Sequence, residues 1–542
     1  MRIKNLQIVF FLIVFFISAA YSQSTNKPKL VVGIVIDQMR FDYLYRFGNC
    51  YGEGGFKRLI KDGTNFTFAH YNYLPTSTGP GHASIYTGAT PFYHGIIAND
   101  FYDRIKKKSI YCIGDDTYKS VGSNDTEGQR SPQRLLTTTI TDELKLATNG
   151  KSKVISVSLK DRGAVLPGGH NPDGAYWYND KTGDFISSGY YVDSLPNWVV
   201  EFNSRKLVDA YLSAGWQLSL PEEKYQINPS DESKYEKDLF SEGKTSFPHY
   251  FTNVSDKKKY GVFENTPFAN HIVAELAKSA LLNENLGKGE ETDFLAISFS
   301  ATDHVGHEFG TFSYELQDTY IKLDEQLAGL FKLFDDQVGI GNYFLFLTAD
   351  HAAVQTPGYL KNKGMPTGEL NTKKSLDSIK AFVKENLGDE NIIENFSNKQ
   401  IFLNRALMKK RNLDIHKVEQ ALADYIRENI PAVTSIFTRD FLETQIASRD
   451  QQNALVNGFN PSLSGDILID LRPGYLLNFL EQGTTHGSAY NYDSHVPMLF
   501  YGWHIPAQTV NTLVYITDIA PTIADLLKIA EPSASIGIPL IK

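Results

Sequence analysis

The run LVVGIVID, residues 30–37, holds seven apolar or small residues and then ends on an aspartate. Three later runs have the same form and are each followed by charged residues: VISVSL (154–159) by Lys160 and Arg162, FLAISFS (294–300) by Asp303, and YFLFLT (343–348) by Asp350 and His351. Short apolar, β-branched runs are typical of buried parallel strands. Helical patterns lie between them, at 132–148 and 314–336. Alternating strands and helices predict an α/β fold with a mostly parallel central sheet and helices on both faces.

The charged residues fall where each predicted strand ends. In a parallel sheet the carboxyl ends of neighbouring strands lie along one edge, and functional groups collect there. A single aspartate after a strand is usually a helix N-cap. Four clusters in the same position relative to their strands indicate one functional site.

Six residues have the chemistry and placement of metal ligands: Asp37, Asp303, His307, Asp350, His351 and His486. The Asp-x-x-x-His spacing at 303 and 307 puts two side chains on one face of a helical turn. A carboxylate–imidazole set without thiolate suits zinc, with manganese and iron as alternatives. Six ligands exceed one tetrahedral ion and match two three-ligand sites, each with an open position. For His304 and His495 we expect ordinary core or surface roles.

The segment LPTSTGPGHASIYTG, residues 74–88, places three hydroxyls, Thr76, Ser77 and Thr78, at the expected start of a helix. Helix capping by a side-chain oxygen is one interpretation. The other is catalysis, because a metal lowers the pKa of a hydroxyl and a helix N-terminus binds phosphoryl oxygens. Two metal ions stabilise both oxygens of an in-line displacement. We predict Thr78, next to the glycines, as a nucleophile that contacts the metal.

Composition and the N-terminus limit the class and the compartment. The formal net charge of −9 and the absence of a basic stripe argue against a nucleic-acid surface. Residues 1–22 have the layout of a secretory signal peptide, with a membrane anchor as the alternative. We therefore expect an exported monomer, periplasmic or secreted, without a transmembrane segment in the mature chain. Cys50 and Cys112 allow one disulfide, and two separate thiols are the alternative.

Two stretches interrupt the strand–helix pattern, at about 170–290 and 355–482. The first includes AYWYNDKTGDFISSGYY, which predicts a β-hairpin turning at 180–183. The second contains the helical patterns KSLDSIKAFVKENLG and HKVEQALADYIREN and the strand-like DILIDL. We interpret both as insertions in one domain, residues 23–542. Its core resumes at HVPMLFYG (495–502) and closes with the helix DIAPTIADLLKI (518–529).

The order of these motifs resembles that of the alkaline phosphatase superfamily. The matching elements are Asp37 after the first strand, the segment at Thr78, Asn99 in HGIIAND, Asp303-x-x-x-His307, Asp350-His351 and His486 in THG. Their order and spacing are similar to the type I phosphodiesterase/nucleotide pyrophosphatase branch. LKDRGAVLPGG at 159–169 is closer to the phosphate-irrepressible alkaline phosphatases that Gram-negative bacteria export. The resemblance covers nearly all of the mature chain.

This resemblance implies an alkaline phosphatase-like catalytic domain with two Zn²⁺ per chain. The implied enzyme hydrolyses a broad range of small-molecule phosphate monoesters through a phosphothreonine intermediate and releases inorganic phosphate. In that scheme one zinc, which activates Thr78, is held by Asp37, Asp350 and His351. The other, which stabilises the leaving oxygen, is held by Asp303, His307 and His486. The phosphoryl group is contacted by Asn99, Lys160 and Arg162.

Related enzymes of the superfamily fit less well. A sulfatase needs a C/S-x-P-x-R signature, which neither NCYGEG nor YCIGDD provides, and cofactor-independent phosphoglycerate mutases are cytosolic and use serine. A phosphodiesterase or nucleotide pyrophosphatase on the same metals is the alternative. Lys160 and Arg162 favour the monoesterase, because a monoester carries one more charged oxygen and both side chains suit phosphate. K-x-R spacing beyond a strand puts them on one side, and an ordinary charge cluster around Asp161 is the other interpretation.

Overall fold

The computed structural model of the protein describes residues 27–225, 228 and 230–541. The predicted signal peptide, residues 1–22, lies outside the described residues. The strands are β1 Leu30–Ile36, β2 Thr64–His70, β3 Asp100–Asp103, β4 Lys108–Tyr111, β5 Ser120–Val121, β6 Val154–Ser158, β7 Gly174–Tyr178, β8 Phe185–Ser188, β9 Asp293–Phe299, β10 Tyr343–Thr348, β11 Gly368–Leu370, β12 Ile393–Ser397, β13 Gln400–Leu403, β14 Val433–Thr438, β15 Ile467–Leu471, β16 Tyr475–Leu477, β17 His495–Gly502, β18 Gln508–Val510 and β19 Val514–Tyr515.

The α-helices lie between and around these strands. They are Tyr43–Arg46, Phe56–Asp62, Thr78–Thr87, Pro91–His94, Ile140–Ala147, Asp161–Gly168, Asn197–Ser204, Leu207–Ala214, Lys259–Phe263, Pro267–Asn283, Ala301–Phe309, Tyr314–Gln337, Pro357–Asn362, Thr372–Leu387, Arg405–Lys410, Ile415–Asn429, Arg439–Glu443, Ala454–Gly458, Asn491–Ser494 and Ile519–Leu527. Short 3₁₀ turns occur at Gly48–Cys50, Glu222–Tyr225, Glu390–Ile392 and Ile516–Asp518. Among the helices described, none has the length and apolar character needed to cross a membrane.

The main sheet has the strand order β18-β2-β17-β10-β1-β9-β6-β7-β8-β5, with β19 beside β2. Its centre, from β10 through β1, β9 and β6 to β7, is parallel. Strands β17 and β8 run antiparallel to their neighbours β10 and β7. The predicted α/β class with a mostly parallel central sheet is confirmed.

The register of the parallel strands explains why their ends form one edge. Ile36 at the end of β1 pairs with Phe299 at the end of β9, and Val35 pairs with Thr348 at the end of β10. Every residue of β1, β9 and β10 is buried, so these strands read as continuous apolar runs without polar alternation. The polar residues that follow them therefore emerge side by side.

Most predicted elements have the expected positions. Strands β1, β10 and β17 match their predicted bounds, and the hairpin of β7 and β8 turns at 180–183 as predicted. The helix predicted over 132–148 begins only at Ile140, because Thr139 and Asp142 form a capping box that starts it there. Cys50 and Cys112 are free thiols, so the disulfide is not formed.

Residues 368–477 contain a smaller sheet of their own, which we call the inserted unit. Its antiparallel strands have the order β12-β13-β15-β14. Helices Thr372–Leu387 and Ile415–Asn429 contribute Val383 and Leu422 to a separate cluster of buried apolar side chains with Ile467. Its hairpin of β12 and β13 turns at Asn398 and Lys399, both with left-handed φ, of 51° and 61°. The interpretation of the chain as one domain with two insertions stays a prediction.

Candidate active site

Three predicted metal ligands, Asp37, Asp350 and His351, lie completely buried after β1 and β10, and we call them the inner ligand group. His351 Nε2 lies 3.3 Å from Asp37 Oδ1 and 3.7 Å from Asp350 Oδ2. His351 Nδ1 donates a hydrogen bond to the Ala352 carbonyl at 3.0 Å, which leaves the Nε2 lone pair facing the carboxylates. Across the described residues, these three facing atoms, Asp37 Oδ1, Asp350 Oδ2 and His351 Nε2, have no hydrogen-bond partner. Such buried polar atoms call for a ligand.

The other three predicted ligands, Asp303, His307 and His486, form the outer ligand group. Asp303 and His307 lie on one face of helix Ala301–Phe309, with His307 Nε2 3.1 Å from Asp303 Oδ1. His486 Nε2 lies 3.7 Å from the same oxygen. Each of these histidines donates its Nδ1 hydrogen to a carbonyl, His307 to Thr484 at 2.8 Å and His486 to Thr76 at 2.7 Å. All three histidines of the site thus turn Nε2 inward.

The two groups adjoin at Asp303. Its carboxylate lies within 4.8 Å of ligand atoms of His307 and His486, and also of Asp37 and His351. The predicted helical-turn spacing and the clustering of all six residues are therefore present in the structure. Their division between two ions stays a prediction.

The electrostatics of the inner group also suit a cation. Burial, and next the charge of Asp37, raise the pKa of Asp350 well above its ordinary value. Burial lowers the pKa of His351, but the charges of Asp350 and Asp37 outweigh it and raise that pKa to about 9. Two facing carboxylates repel each other strongly in a medium of low dielectric constant. A divalent cation between them removes that repulsion, so the residues present fit zinc.

Lys160 lies between the two ligand groups. Its Nζ donates to Asp37 Oδ2 at 2.7 Å and also to Asp303 Oδ2. Burial lowers the pKa of Lys160, but the charges of Asp303 and Asp37 outweigh it and raise the pKa above its ordinary value. Lys160 is therefore a cation that offsets part of the carboxylate charge. Its predicted contact with a phosphoryl group stays a prediction.

The three hydroxyls before helix Thr78–Thr87 have different surroundings. Ser77 occupies the N-cap position but its side chain makes no capping hydrogen bond, so capping does not explain the segment. Thr76 Oγ1 donates to the Ser488 carbonyl at 2.8 Å. Thr78 Oγ1 accepts a hydrogen bond from Arg162 Nη2 at 3.3 Å. A Cβ at Gly81 would lie 2.3 Å from the Asp350 carbonyl oxygen, so glycine lets this helix pack directly on the inner group.

Asn99 lies beside the start of the same helix. Its Oδ1 accepts a hydrogen bond from the Gly79 backbone N–H at 2.7 Å, which fixes the orientation of the amide. Asn99 and His486 both line a cavity of about 380 Å³. The amide nitrogen of Asn99 is thus available to an acceptor in the site.

Residues that the sequence did not single out hold Arg162. Arg162 Nη1 donates to Tyr111 Oη at 3.1 Å, and Tyr111 donates to Asp161 Oδ1 at 2.5 Å. Arg130 Nε donates to the other oxygen of Asp161 at 2.5 Å. Arg162 lies in helix Asp161–Gly168, so the alternation of side chains along a strand does not explain why Arg162 and Lys160 both reach the site.

Gln38 and His82 were also missed. Gln38, with left-handed φ of 64°, donates its N–H to Asp350 Oδ1 at 3.1 Å and its side-chain amide to Asp303 Oδ1 at 2.5 Å. Strained backbone of this kind is concentrated at functional sites. His82 Nδ1 donates to the Thr78 carbonyl at 2.9 Å. The sequence offered one signal for each residue: Gln38 directly follows Asp37, and His82 lies in the same segment as Thr78.

Comparisons with known proteins agree with this geometry. The family model for type I phosphodiesterase/nucleotide pyrophosphatase matches residues 31–493. Alkaline phosphatase PhoV of Synechococcus elongatus is 44% identical over 521 residues, which cover 96% of this chain and 93% of PhoV. Alkaline phosphatase PafA of Elizabethkingia meningoseptica is 41% identical over 525 residues, which cover 96% of this chain and 95% of PafA. The crystal structure of wild-type PafA matches with a TM-score of 0.90, covering 95% of this chain and 98% of the PafA chain.

Proposed function

Because the chain belongs to the type I phosphodiesterase/nucleotide pyrophosphatase family and is an alkaline phosphatase, we propose that it hydrolyses phosphate monoesters through a phosphothreonine formed on Thr78. The observation that carries this proposal is the position of Thr78 Oγ1. It lies on the first residue of a helix and within hydrogen-bond distance of Arg162, and Gly81 of the same helix packs on Asp350 of the inner ligand group. A hydroxyl there lies beside a cation and at a helix N-terminus, on a helix that packs against a metal-type donor set.

Two zinc ions per chain complete the proposed site. The inner ligand group would hold one and the outer ligand group the other. When bound, zinc lowers the pKa of a neighbouring hydroxyl and stabilises negative charge on a leaving oxygen. The carbonyl bonds of His307, His351 and His486 fix the tautomer in which Nε2 is free for the metal.

The other residues of the site bind and orient the phosphoryl group. Arg162 offers a planar fork of donors to two phosphoryl oxygens and at the same time contacts Thr78, which sets phosphorus beside the attacking oxygen. Asn99 Nδ2 donates to a further oxygen, and Lys160 adds positive charge. Thr78 Oγ1 forms a bond to phosphorus as the ester oxygen leaves with a proton as alcohol. Water then cleaves the Thr78 ester, which releases inorganic phosphate and restores the hydroxyl.

The test of this pathway is the location of the trapped phosphate. Acid quenching during turnover of a monoester, followed by peptide mass spectrometry, is expected to find phosphate on Thr78. Thr78→Ala should abolish labelling, Thr78→Ser should retain it, and Ser77→Ala serves as the matched control with labelling unchanged. Phosphate found on Thr76 or Ser77 would overturn the assignment.

The second candidate is hydrolysis of nucleotide diesters and pyrophosphates on the same metal site. The family model that matches the chain carries that description. We propose it as a weaker side activity, because Arg162 and Lys160 supply two cations for the additional charged oxygen of a monoester.

We also propose that the protein is exported to the periplasm or medium as a monomer after removal of residues 1–22. The arrangement of Arg2, Lys4, the apolar run and the small residues supports export and removal of residues 1–22. N-terminal sequencing of the mature protein should begin near Gln23, and a mature protein that retains Met1 would contradict it.

A further inference from the structure

The cavity beside Asn99 and His486 has further lining residues that the proposed chemistry does not use. One part of the lining is the segment 485–493, which carries His486, and another part comes from the inserted unit. The cavity volume of about 380 Å³ is within the range of small-molecule sites. It adjoins the outer ligand group, through His486, and the phosphoryl-binding side, through Asn99.

The hairpin tip of the inserted unit is fixed to both sides of this cavity. Asn398 Nδ2 donates to the carbonyl of Asp100 at 2.6 Å, directly after Asn99. Lys399 Nζ donates to the carbonyl of Gly487 at 2.7 Å, directly after His486. Lys399 is 9% exposed, so this contact is made away from bulk water. The inserted unit is therefore hydrogen-bonded at two points beside the metal site.

The cavity lining is mixed, with polar and charged residues such as Asp100, Lys399 and Asp493 beside a group of rings and aliphatic side chains. The tyrosine rings and leucine side chains of this group are Leu471, Tyr475, Leu476, Leu477, Tyr490 and Tyr492. Two of the phenol hydroxyls are already bonded to backbone: Tyr490 donates to the Leu471 carbonyl at 2.9 Å and Tyr492 accepts from Gly474 N–H at 3.1 Å. With those hydroxyls occupied, their rings contribute apolar surface.

Arg472 supplies a planar cation at the same place. It lines the cavity and is exposed, and its guanidinium makes neither a hydrogen bond nor an ion pair with any other described residue. A guanidinium stacks on the face of an aromatic ring. Tyrosine rings pack against another aromatic ring through their edges or in offset stacks. This part of the lining, formed by Arg472, the tyrosine rings and the leucines, complements a flat aromatic group.

We propose that this cavity, the leaving-group pocket, binds the alcohol part of the monoester and favours alcohols that carry an aromatic ring. The proposal rests on the proposed function, because that function assigns the outer ligand group, and hence His486, to the leaving oxygen. An alcohol bonded to that oxygen extends from His486 into the cavity. The inserted unit thus determines which monoesters are hydrolysed efficiently, while the strand-end residues perform the chemistry.

The experiment compares benzyl phosphate with methyl phosphate. Both release alkyl alcohols of similar acidity, so they differ mainly in the ring. The unmodified, zinc-loaded protein should show about tenfold higher kcat/KM for benzyl phosphate, as expected for one aromatic contact. Leu477→Trp, at a position 37% exposed, should fill the pocket and remove most of that preference. Arg472→Ala should reduce the preference about threefold, and methyl phosphate hydrolysis should change less than twofold in both variants.

Leu282→Trp is the matched control, because Leu282 is 48% exposed on helix Pro267–Asn283 and lies outside the cavity lining. It should leave both substrates unchanged. Equal losses on both substrates, or no change of preference in either pocket variant, would overturn the pocket. Failure of the unmodified protein to release phosphate from either ester would instead contradict the proposed function, and the pocket proposal with it.

Discussion

The inner and outer ligand groups use the same residue types but are built differently. The inner group follows two paired parallel strands, β1 and β10, and its side chains are completely buried. The outer group combines a helical turn with a loop far along the chain, and its histidines are more open, His307 at 32% and His486 at 11% side-chain exposure. Sheet register therefore fixes one group, whereas the other depends on loop contacts.

This difference matches the two tasks of the proposed reaction. The nucleophile is the same in every turnover, so the inner ligand group, which is buried and fixed by sheet register, suits the metal proposed to activate Thr78. The alcohol differs from one substrate to the next, so the more open group beside the leaving-group pocket suits the leaving oxygen. The loop of His486 is tied to Thr76 and to Lys399 of the inserted unit, which couples pocket and ligand group.

The largest expected effect is the loss of an inner ligand. His351→Ala should lower kcat/KM by roughly 10⁴-fold or more, as is typical when a member of a catalytic unit is removed. It leaves Asp37 and Asp350 as a buried like-charge pair, so zinc content should fall below two per chain. His486→Ala, in the outer group, should retain about one zinc per chain. Elemental analysis together with monoester kinetics measures both.

Two results would break this comparison. Full zinc content in the His351→Ala protein would show that His351 is not a zinc ligand. A zinc content near one in the unmodified, active protein would refute the two-metal proposal altogether.

The next largest effect concerns Lys160 and Arg162, the two cations proposed to contact the phosphoryl group. Replacing Lys160 and Arg162 together by Ala removes two charge-assisted contacts, each worth about 1.5–3 kcal/mol, so monoester kcat/KM should fall at least about 10²-fold. Diester hydrolysis should fall much less, because a diester lacks the additional charged oxygen. Parallel kinetics on one monoester and one diester measure the difference.

The double variant Lys384→Ala with Arg427→Ala is its control. It removes one lysine and one arginine whose side chains are 69% and 60% exposed in surface ion pairs, and both activities should stay unchanged. Equal losses of monoester and diester hydrolysis in the Lys160 and Arg162 variant would favour the phosphodiesterase instead.

The smallest expected effect comes from removing one hydrogen bond that holds Arg162 in place. Tyr111→Phe removes the hydroxyl that accepts from Arg162 and donates to Asp161, so monoester kcat/KM should fall about fivefold, the effect of one hydrogen bond. Tyr45→Phe, at an exposed tyrosine on another helix, should have no effect. An unchanged rate for Tyr111→Phe would show that Asp161 and the helix position Arg162 without it.

Sequence patterns predicted the parts of the site that local chemistry determines. Apolar strands ending in charged residues located Asp37 and Asp350, and helical spacing put His307 beside Asp303, because strand and helix periodicities are properties of neighbouring residues. The helical pattern predicts a helix from residue 132, but the helix begins at Ile140, since the capping box of Thr139 overrides the apolar pattern. The metals, the phosphothreonine and the roles of single residues remain predictions.

By itself, therefore, the sequence determined the α/β class, the strand ends and the set of chemically competent residues. Only the tertiary structure decided which of them meet. Arg162 contacts Thr78 across 84 positions of the chain, Gln38 bonds Asp303 across 265, and Lys399 reaches the residue after His486 across 88. These contacts follow from sheet register, from one left-handed residue and from the docking of an inserted hairpin. Such long-range geometry leaves no periodic signature in the residues themselves, because it depends on how distant surfaces pack.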